Sequence, residues 1–271
     1  DFPTFLKHTL EQAQMTKSAF TFPYTLQYVG KIPYVYELKN ILFFGLGPLL
    51  ALLSFSGILL LTVHAITIDK REKWAHELLL VAFFWLYFLV VGSFAIGFMR
   101  YMLPLYPVLA IAAAFFVSQG IKLFPSVATL PVVKLWGSIA VILLLIWPLS
   151  FLMIYTRVNT RIQASEWIHQ NIPSGSTLAV EHWDDTLPLS DQGKYRMLTL
   201  NLYDPDTPEK WQTINEQLSE ADYVILASNR LYTPLMKLTN CSALPADRCY
   251  IETALYYQNL FNGTLGFSKV A

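Results

Sequence analysis

Residues 40–68 read NILFFGLGPLLALLSFSGILLLTVHAITI and contain no Asp, Glu, Lys or Arg. Three later stretches share this property: Leu78–Met99, Tyr101–Ile121 and Leu135–Thr156. A helix needs about 20 residues to cross the ~30 Å hydrocarbon core of a bilayer, and all of these runs are long enough. Since such a series is unusual in a water-soluble core, the sequence predicts a transmembrane domain with four helices over residues 40–156.

The overall composition favours the same class of protein. Hydrophobic residues make up 54% of the chain and charged residues 14%, whereas a soluble domain carries about 25% charged residues. Lys plus Arg and Asp plus Glu each number 19, so no basic excess indicates a nucleic-acid partner. The chain starts at Asp1 without a signal peptide, and we expect residues 1–39 to be an extracytoplasmic loop or juxtamembrane segment of a longer protein.

The short loops predict the orientation of these helices. The loop after the first run holds the basic segment Lys70–Lys73, and the loop after the third run holds Lys122 with Lys134 beside it. The turn between the second and third runs holds only Arg100. Because Lys and Arg accumulate in cytoplasmic loops, the first and third loops are predicted to be cytoplasmic and both chain ends outside. Further basic residues flank the domain on the opposite side: Lys31, Lys39, Arg157 and Arg161.

The pattern changes after residue 156. Strands are predicted over Thr177–Val180, Arg196–Leu202, Tyr223–Ala227 and Leu265–Val270, and helices over Gln163–Gln170, Thr207–Ser219, Asn229–Leu238 and Thr253–Phe261. Strands that alternate with helices are typical of α/β folds. The predicted fold class is therefore an α-helical membrane domain with four transmembrane helices, followed by a small soluble α/β extracytoplasmic domain over residues 157–271.

The cysteine content bears on the same domain. Cys241 and Cys249 are the only cysteines in the chain. Outside the cytoplasm a disulfide that closes the loop between them is plausible, and the alternative is a pair of free thiols.

A group of polar residues follows the first predicted strand of this domain: Glu181, His182, Asp184 and Asp185. Loops at this position carry the functional residues of many α/β domains. Carboxylates beside a histidine suit acid–base chemistry or metal binding, while the alternative is a structural role in capping a helix or contacting the membrane domain. The sequence contains no zinc-ligand spacing, Gly-rich phosphate loop or Ser-His-Asp order, so we predict neither a metal nor a cofactor.

Arg100 is the most informative single residue, because it lies between two of the apolar runs. A guanidinium at membrane depth is costly unless it is paired or reaches the interface, so such residues are candidates for function. The planar guanidinium can donate two parallel hydrogen bonds, which suits a pair of phosphate oxygens. The alternative is a topological anchor that extends to the membrane surface.

The sequence around Arg100 resembles a known family. Residues 98–107 read FMRYMLPLYP, and residues 22–30 read FPYTLQYVG. These stretches are similar to the late membrane helices, and the outer loop before one of them, in polyisoprenyl-phosphate-dependent glycosyltransferases. That family includes the protein O-mannosyltransferases and the lipid A aminoarabinose transferase, which have a multi-spanning GT-C fold. Further similar stretches are residues 33–40, 165–168, 181–185 and 256–261.

The resemblance implies that the parent protein is a membrane glycosyltransferase of the cell membrane, by analogy the bacterial inner membrane. It implies that the partners are membrane lipid and a polyisoprenyl-phosphate-linked sugar donor. It implies that Arg100 and Tyr101 help to hold the donor phosphate, and that Tyr24, Gln27 and Tyr28 belong to a loop that covers the site.

The family's catalytic Asp lies in the first outer loop, near the N-terminus, so we expect it outside this fragment, which alone is expected to be inactive. For the tyrosines the alternative is an interfacial aromatic belt. The alternative function is a non-enzymatic membrane protein, part of a transporter or a sensor, with a ligand-binding outer domain. The sugar and the acceptor are not encoded in any motif of this sequence.

Overall fold

The computed structural model describes residues 2–67, 71–125, 130–191 and 193–271, so that Lys70, used above for orientation, lies outside the described residues. Internal contacts divide the chain into two compact units. The helical unit consists of Thr16–Ser18 and Gly30–Thr156. The α/β unit consists of Asp1–Met15, Ala19–Val29 and Arg157–Ala271. Residues 1–39 are therefore shared between the two units.

The helices of the first part of the chain are α1 (Phe2–Lys17), α2 (Val35–Asn40), α3 (Pro48–Thr67), α4 (Arg71–Gly92), α5 (Tyr106–Leu123) and α6 (Pro131–Tyr155). Among the described residues, four helices are long and apolar enough to cross a membrane. They are α3, residues Ala75–Gly92 of α4, α5 together with the 3₁₀ turn Met99–Leu105 before it, and a fourth candidate span, Gly137–Asn171, that includes most of α6. The four apolar runs of the sequence thus form four long helices, as predicted.

Glycine and proline shorten two of these helices relative to the predicted runs. Gly47 has a φ of +78°, a left-handed conformation that favours glycine, and α3 begins at the next residue, Pro48. Pro104 lacks a backbone N–H and lies within the 3₁₀ turn, so the regular helix α5 begins only at Tyr106. Both breaks fall at the ends of apolar runs, where a change of direction leaves the long helices intact.

Helices α3 and α5 pack closely because small residues face each other. A Cβ atom added to Gly57 of α3 would lie 2.0 Å from the carbonyl oxygen of Ala112 in α5. Ala51 and Ser54 are also fully buried on α3. Small side chains of this kind let two helix backbones approach and gain van der Waals contact, which is the main source of helix association in lipid.

A buried ion pair holds the segment before α2 in the helical unit. Nζ of Lys31 lies 2.6 Å from Oε1 of Glu37, and the two side chains are 3% and 4% exposed. The same ammonium donates to the carbonyl oxygens of Phe94 (2.7 Å) and Ile96 (3.1 Å), in the loop that follows α4. The contact with Glu37 is an ion pair without ideal alignment, since neither carboxylate oxygen has a hydrogen-bond partner among the described residues. Lys31 thereby fastens this segment to the loop that leads to Arg100.

The α/β unit has three parallel strands and four helices among its described residues after residue 156. In chain order they are α7 (Thr160–Asn171), β1 (Thr177–Glu181), β2 (Arg196–Leu200), α8 (Pro208–Glu220), β3 (Tyr223–Ile225), α9 (Tyr232–Leu235) and α10 (Ile251–Phe261). The strand order is β2-β1-β3, and in register Thr177 pairs with Arg196 while Leu178 pairs with Tyr223. The predicted alternation of strands and helices is confirmed for these elements.

Both faces of the sheet are covered, which explains the apolar residues Leu178–Val180 at the centre of β1. Leu178 packs in one cluster with Ile168 and Ile172 of the α7 region. Ala179 points to the opposite face and packs in a second cluster with Ile214 of α8 and Tyr257 of α10. Successive residues of a strand point to opposite faces, so the centre of a strand that is buried on both sides is apolar at consecutive positions.

Two predicted elements are wrong. Residues 265–270 do not form a strand, because Gly263 and Gly266 adopt φ values of +74° and +86°, which interrupt an extended chain. The helix predicted over Asn229–Leu238 is reduced to α9, Tyr232–Leu235. Its expected first turn is a loop instead, in which the N–H of Arg230 donates to Oγ of Ser228.

Polar side chains connect the start of α8 with the start of α10. Nζ of Lys210 is 5% exposed at its side chain and lies 2.9 Å from Oδ1 of Asp206. It also donates to Oγ1 of Thr253 (2.9 Å) and to the carbonyl oxygens of Leu202 (3.0 Å) and Asp204 (2.8 Å). Burial lowers the pKa of Lys210, while hydrogen bonds from Lys210 and Thr253 outweigh burial and lower the pKa of Asp206. The network is fully bonded and has a structural role.

The Lys31–Glu37 pair gives a prediction about the helical unit. Lys31→Met leaves a buried carboxylate without its cation, and we expect the free energy of unfolding to fall by about 3–5 kcal/mol. Lys31→Met combined with Glu37→Leu removes both charges, so the double variant should recover much of that loss. Unfolding of the purified chain in detergent measures each value, and a double variant as unstable as the single one would contradict the role of the pair.

Candidate functional site

The carboxyl ends of β1 and β3 meet at one edge of the sheet. Glu181 is the last residue of β1, Asp184 follows it, and Ser228 follows β3. The hydroxyl of Ser228 donates a short hydrogen bond to Oδ2 of Asp184. The segments after two adjacent parallel strands are thereby joined, at the edge where open α/β sheets bind their ligands.

Glu181 is a buried carboxyl group, 3% exposed. Tyr257 of α10 donates a hydrogen bond of 2.5 Å to its Oε1, while Oε2 has no hydrogen-bond partner among the described residues. Burial raises the pKa of Glu181 to about 7, against the lowering effect of the Tyr257 hydrogen bond and with a contribution from the charge of Asp184. A carboxyl group that exchanges its proton near neutral pH meets the requirement for general acid or base chemistry.

Asp184 has the opposite electrostatic environment. Its side chain is 2% exposed, and Nη2 of Arg161 from α7 lies 2.7 Å from its Oδ1. The backbone N–H of Asp185 also donates to this oxygen at 3.0 Å. Burial would raise the pKa of Asp184, but the hydrogen bonds from Ser228 and Arg161 outweigh it and lower the pKa below its usual value. The pKa values of the two carboxyl groups are thus shifted in opposite directions: Asp184 stays ionised, while Glu181 is half-protonated near neutrality.

The other two residues of the predicted group lie outside this arrangement. The side chain of Asp185 is 83% exposed, and its Oδ2 lies 3.4 Å from Nη1 of Arg161. His182 is exposed, and its ring faces Trp183 at a centroid distance of 5.3 Å. Within the described parts of the chain, no group of three or more His, Cys, Asp or Glu side chains is arranged to hold a metal ion.

A segment from the N-terminal part of the chain lies beside this edge. We call Ala19–Val29 the strap; it belongs to the α/β unit. Leu26 is 1% exposed and packs in the core with Leu231 and Leu235 of the α9 region. The ring of Tyr24 lies 6.2 Å from that of Trp183, which has a left-handed φ of +72°. Such a conformation is unfavourable for a bulky residue, and strain of this kind is commonly found at functional sites.

The disulfide loop also contacts the strap. Cys241 and Cys249 form a disulfide with a Cα–Cα distance of 5.2 Å. The neighbouring Arg248 donates from Nε to the carbonyl oxygen of Phe20 at 3.3 Å. The strap is therefore fixed at one end by the disulfide loop and in its middle by the core contact of Leu26.

Arg100 belongs to the helical unit and has a different environment. Its side chain is exposed, and its guanidinium carbon lies 4.3 Å from the ring centre of Phe98 and 5.7 Å from that of Tyr101. Within the described ranges no carboxylate forms an ion pair with Arg100. Tyr101 is held in place because Tyr87 donates to its carbonyl oxygen at 2.7 Å. The aromatic rings make cation–π contacts with the guanidinium, and its N–H donors remain available for an anion.

The residues predicted to bind substrate divide between the units. Arg100 and Tyr101 lie together in the helical unit, whereas Tyr24, Gln27 and Tyr28 lie in the strap of the α/β unit. The amide of Gln27 donates to the carbonyl oxygen of Tyr24 at 2.9 Å, and Tyr28 is 8% exposed. The ring of Tyr24 lies near Trp183, in the segment after β1.

Sequence reasoning missed Arg161, Ser228 and Tyr257 as members of the site at the sheet edge. Ser228 could have been predicted, because it directly follows an apolar stretch that is predicted to be a buried parallel strand. No local signal marks Arg161 or Tyr257, since they lie on other elements, 23 residues from Asp184 and 76 residues from Glu181, and meet the carboxylates only in the fold.

The raised pKa of Glu181 predicts a pH dependence of stability. The folded protein binds this proton more tightly than the unfolded chain, whose Glu titrates near 4.5. The free energy of unfolding should therefore fall by roughly 3 kcal/mol as the pH rises from 4.5 through 7, and become constant only about one pH unit above the folded pKa. Glu181→Gln should remove this slope, as measured by hydrogen exchange of the β1 amides in the whole chain.

Glu166→Gln on α7 is the matched control, because Glu166 is an exposed carboxylate. This variant should keep the slope of the unchanged protein. An unaltered slope in the Glu181→Gln protein would show that Glu181 titrates in the folded chain as it does in the unfolded one.

Comparison with known proteins gives no further constraint on this site. No protein-family model matches the chain, and no curated protein or solved structure matches it.

Proposed function

We propose that the chain is the C-terminal part of a GT-C membrane glycosyltransferase, which transfers a sugar from a polyisoprenyl-phosphate donor to an acceptor at the outer face of the membrane. The observation that carries this proposal is the exposed guanidinium of Arg100, which rests on Phe98 and Tyr101 and has no described carboxylate partner. It lies within the residues 98–107 that resemble the family. An exposed arginine in the turn before an apolar helix, without a described carboxylate partner, suits an external phosphate.

The position of Arg100 along the chain supports the same proposal. It lies in the 3₁₀ turn Met99–Leu105, which precedes α5, and the preceding loop is fastened by Lys31. A phosphate at this position would meet the planar guanidinium of Arg100, which can donate two parallel hydrogen bonds. This position is at the boundary of the apolar helices, where the headgroup of a polyisoprenyl phosphate resides. The lipid tail of such a donor is apolar, and so are the exposed surfaces of these helices. Both would therefore suit the hydrocarbon of the bilayer.

The proposed orientation places the C-terminal end of α5, which carries Lys122, in the cytoplasm and the α/β unit outside. The disulfide between Cys241 and Cys249 is consistent with an oxidising compartment. In this arrangement Arg100 and the α/β unit are on the same side of the membrane. The protein is then an integral protein of the cell membrane with an extracytoplasmic C-terminal domain.

A second candidate function is a ligand-binding membrane protein without transferase activity. The arrangement that favours it is the sheet edge where the ionised Asp184 lies near the buried Glu181, in the same unit as the strap. The polypeptide upstream of this chain distinguishes the two candidates. An initial membrane helix followed by an outer loop with one or two acidic residues supports the transferase, and pseudo-symmetric repeats with broken helices support a transporter.

The Arg100 proposal predicts a defined loss of transfer activity. A charge-assisted hydrogen bond is worth about 1.5–3 kcal/mol, so Arg100→Ala in the complete protein should weaken donor use about ten- to a hundredfold. Arg100→Lys keeps the charge but loses the bidentate fork, and should recover only part of this loss. Sugar transfer in membranes at varied donor concentration measures both effects.

Arg157→Ala is the matched control, because Arg157 is an exposed arginine just beyond the end of α6. It should leave donor use unchanged. Wild-type turnover and donor dependence in both Arg100 variants would assign Arg100 to a purely topological role.

The orientation is tested separately with a membrane-impermeant maleimide. After mild reduction of intact cells or spheroplasts, the exposed Cys241 should be labelled from outside. A cysteine introduced by Lys122→Cys, in a chain with both native cysteines replaced by serine, should react only after permeabilisation. The reverse pattern of labelling would invert the proposed topology.

A further inference from the structure

Three aromatic rings of the α/β unit form a continuous row, which we call the aromatic row. The ring of Phe22 stacks on that of Tyr24 at a centroid distance of 5.5 Å and an interplanar angle of 10°. The ring of Tyr24 in turn lies 6.2 Å from that of Trp183, at an angle of 47°. Trp183 is 44% exposed, while Phe22 and Tyr24 are half-buried. Because an exposed indole gains free energy when a ligand covers it, the Trp183 end of the row is a candidate binding surface.

The turn that carries Trp183 is fixed on both sides of this residue. The N–H of His182 donates to the carbonyl oxygen of Leu200 at 3.0 Å, and Asp184 accepts a hydrogen bond of 2.7 Å from Nη2 of Arg161. These contacts hold Trp183 at its left-handed φ of +72°, which is costly for a bulky residue. A side chain that is held in place before binding loses little conformational entropy when a ligand docks on it.

The strap side of the aromatic row is fixed as well. The hydroxyl of Thr25 donates to the carbonyl oxygen of Ala19 at 2.7 Å, and the N–H of Phe22 donates to Oγ1 of Thr25 at 3.2 Å. These bonds close the short 3₁₀ turn Pro23–Tyr28, which carries Tyr24. The rings of Phe22 and Tyr24 are therefore a preformed support for Trp183.

The spacing of the rings disfavours a cationic ligand. In an aromatic cage for a quaternary ammonium, the cation lies within about 6 Å of each ring centre and separates the rings from one another. In the aromatic row the rings contact each other instead, at 5.5 Å and 6.2 Å between their centres. No space remains between neighbouring rings for an ammonium group.

The local charges disfavour an anionic ligand. Neither the strap nor residues 176–191 contain Lys or Arg. Arg161, which reaches this turn from α7, is paired with the carboxylates of both Asp184 and Asp185. A phosphate or carboxylate bound here would meet acidic groups and an arginine that is already neutralised, so a neutral ligand fits better.

We propose that the aromatic row binds a neutral saccharide, with one pyranose ring stacked on Trp183. One face of a pyranose consists of C–H groups, which pack on the electron-rich face of an indole, while its hydroxyls point outward around the ring. Exposed polar side chains on the two segments that carry the row offer hydrogen bonds to such hydroxyls: His182, Asp185 and Gln27. A wholly apolar ligand would instead require a concave pocket. The proposal concerns the α/β unit alone and does not rest on the glycosyltransferase proposal.

Saturation-transfer NMR with defined oligosaccharides tests this proposal. The full chain in lipid nanodiscs is mixed in turn with hexasaccharides of glucose, mannose and N-acetylglucosamine. With at least one of them, saturation should reach the C–H protons of one ring face. Trp183→Gly removes the indole and suits the left-handed backbone, and should weaken binding at least about tenfold. Trp183→Tyr keeps an aromatic face and should retain part of the binding.

Phe5→Ala is the matched control, because Phe5 is an exposed aromatic residue of the same unit that lies outside the aromatic row. This variant should bind as the unchanged chain does, and circular dichroism verifies that each variant retains its helices. Binding to none of the three hexasaccharides would overturn the proposal, and so would equal binding by the Trp183→Gly protein.

Fluorine NMR of the fluorotryptophan-labelled chain distinguishes other occupants of this surface. The signal of Trp183 is identified by its loss in the Trp183→Tyr protein. Without saccharide, a water-soluble gadolinium chelate should broaden this signal, since the ring is exposed. Protection of the signal in nanodiscs would also overturn the proposal, because lipid or another protein surface would then cover the ring.

Discussion

A charge in an apolar interior must be paired, and this constraint fixes the segments around both candidate sites. In the helical unit, Lys31 binds Glu37 and two carbonyl oxygens, and so positions the loop before Arg100. In the α/β unit, Arg161 binds the buried carboxylate of Asp184, and so holds the segment after β1 against α7. Each pair joins residues that belong to separate elements, which is why irregular segments at these places have defined positions.

Arg100 lies outside this rule, because its side chain is exposed and needs no internal partner. It contacts the rings of Phe98 and Tyr101 and has no described carboxylate partner, whereas the described buried cations Lys31 and Lys210 are each paired with a carboxylate. Glu181 is the corresponding exception among the acidic residues, since one of its oxygens lacks a described partner in a buried position. Incomplete pairing leaves both groups able to interact with something further: an anion at Arg100, and a proton at Glu181.

The two units differ in how their helices are held. In the helical unit, small residues such as Gly57 let α3 and α5 approach closely, and large side chains remain exposed on the outer surfaces. In the α/β unit, large side chains from α7, α8 and α10 fill both faces of a small sheet. The first pattern suits helices surrounded by lipid, where burial of apolar surface brings no gain, and the second suits a domain surrounded by water.

The sequence by itself determined the long apolar helices, the strands β1 to β3 and the three longer helices of the α/β unit, because each has a local signal. Uncharged runs, an apolar stretch such as Tyr223–Ala227, and the Thr207-Pro208-Glu209 helix start identify these elements within a few residues. The predicted final strand failed because Gly266 within it and Gly263 before it adopt left-handed conformations that a composition pattern does not reveal.

The tertiary structure alone decided the composition of the candidate site. The strap residue Tyr24 meets Trp183, Ser228 meets Asp184, and Tyr257 meets Glu181, across separations that no periodicity encodes. The same is true of protonation: Glu181 and Asp184 are close in sequence, yet burial raises the pKa of the first while hydrogen bonds lower that of the second. A pKa depends on the groups that surround a side chain in space, and those groups are assembled only when distant segments of the chain pack together.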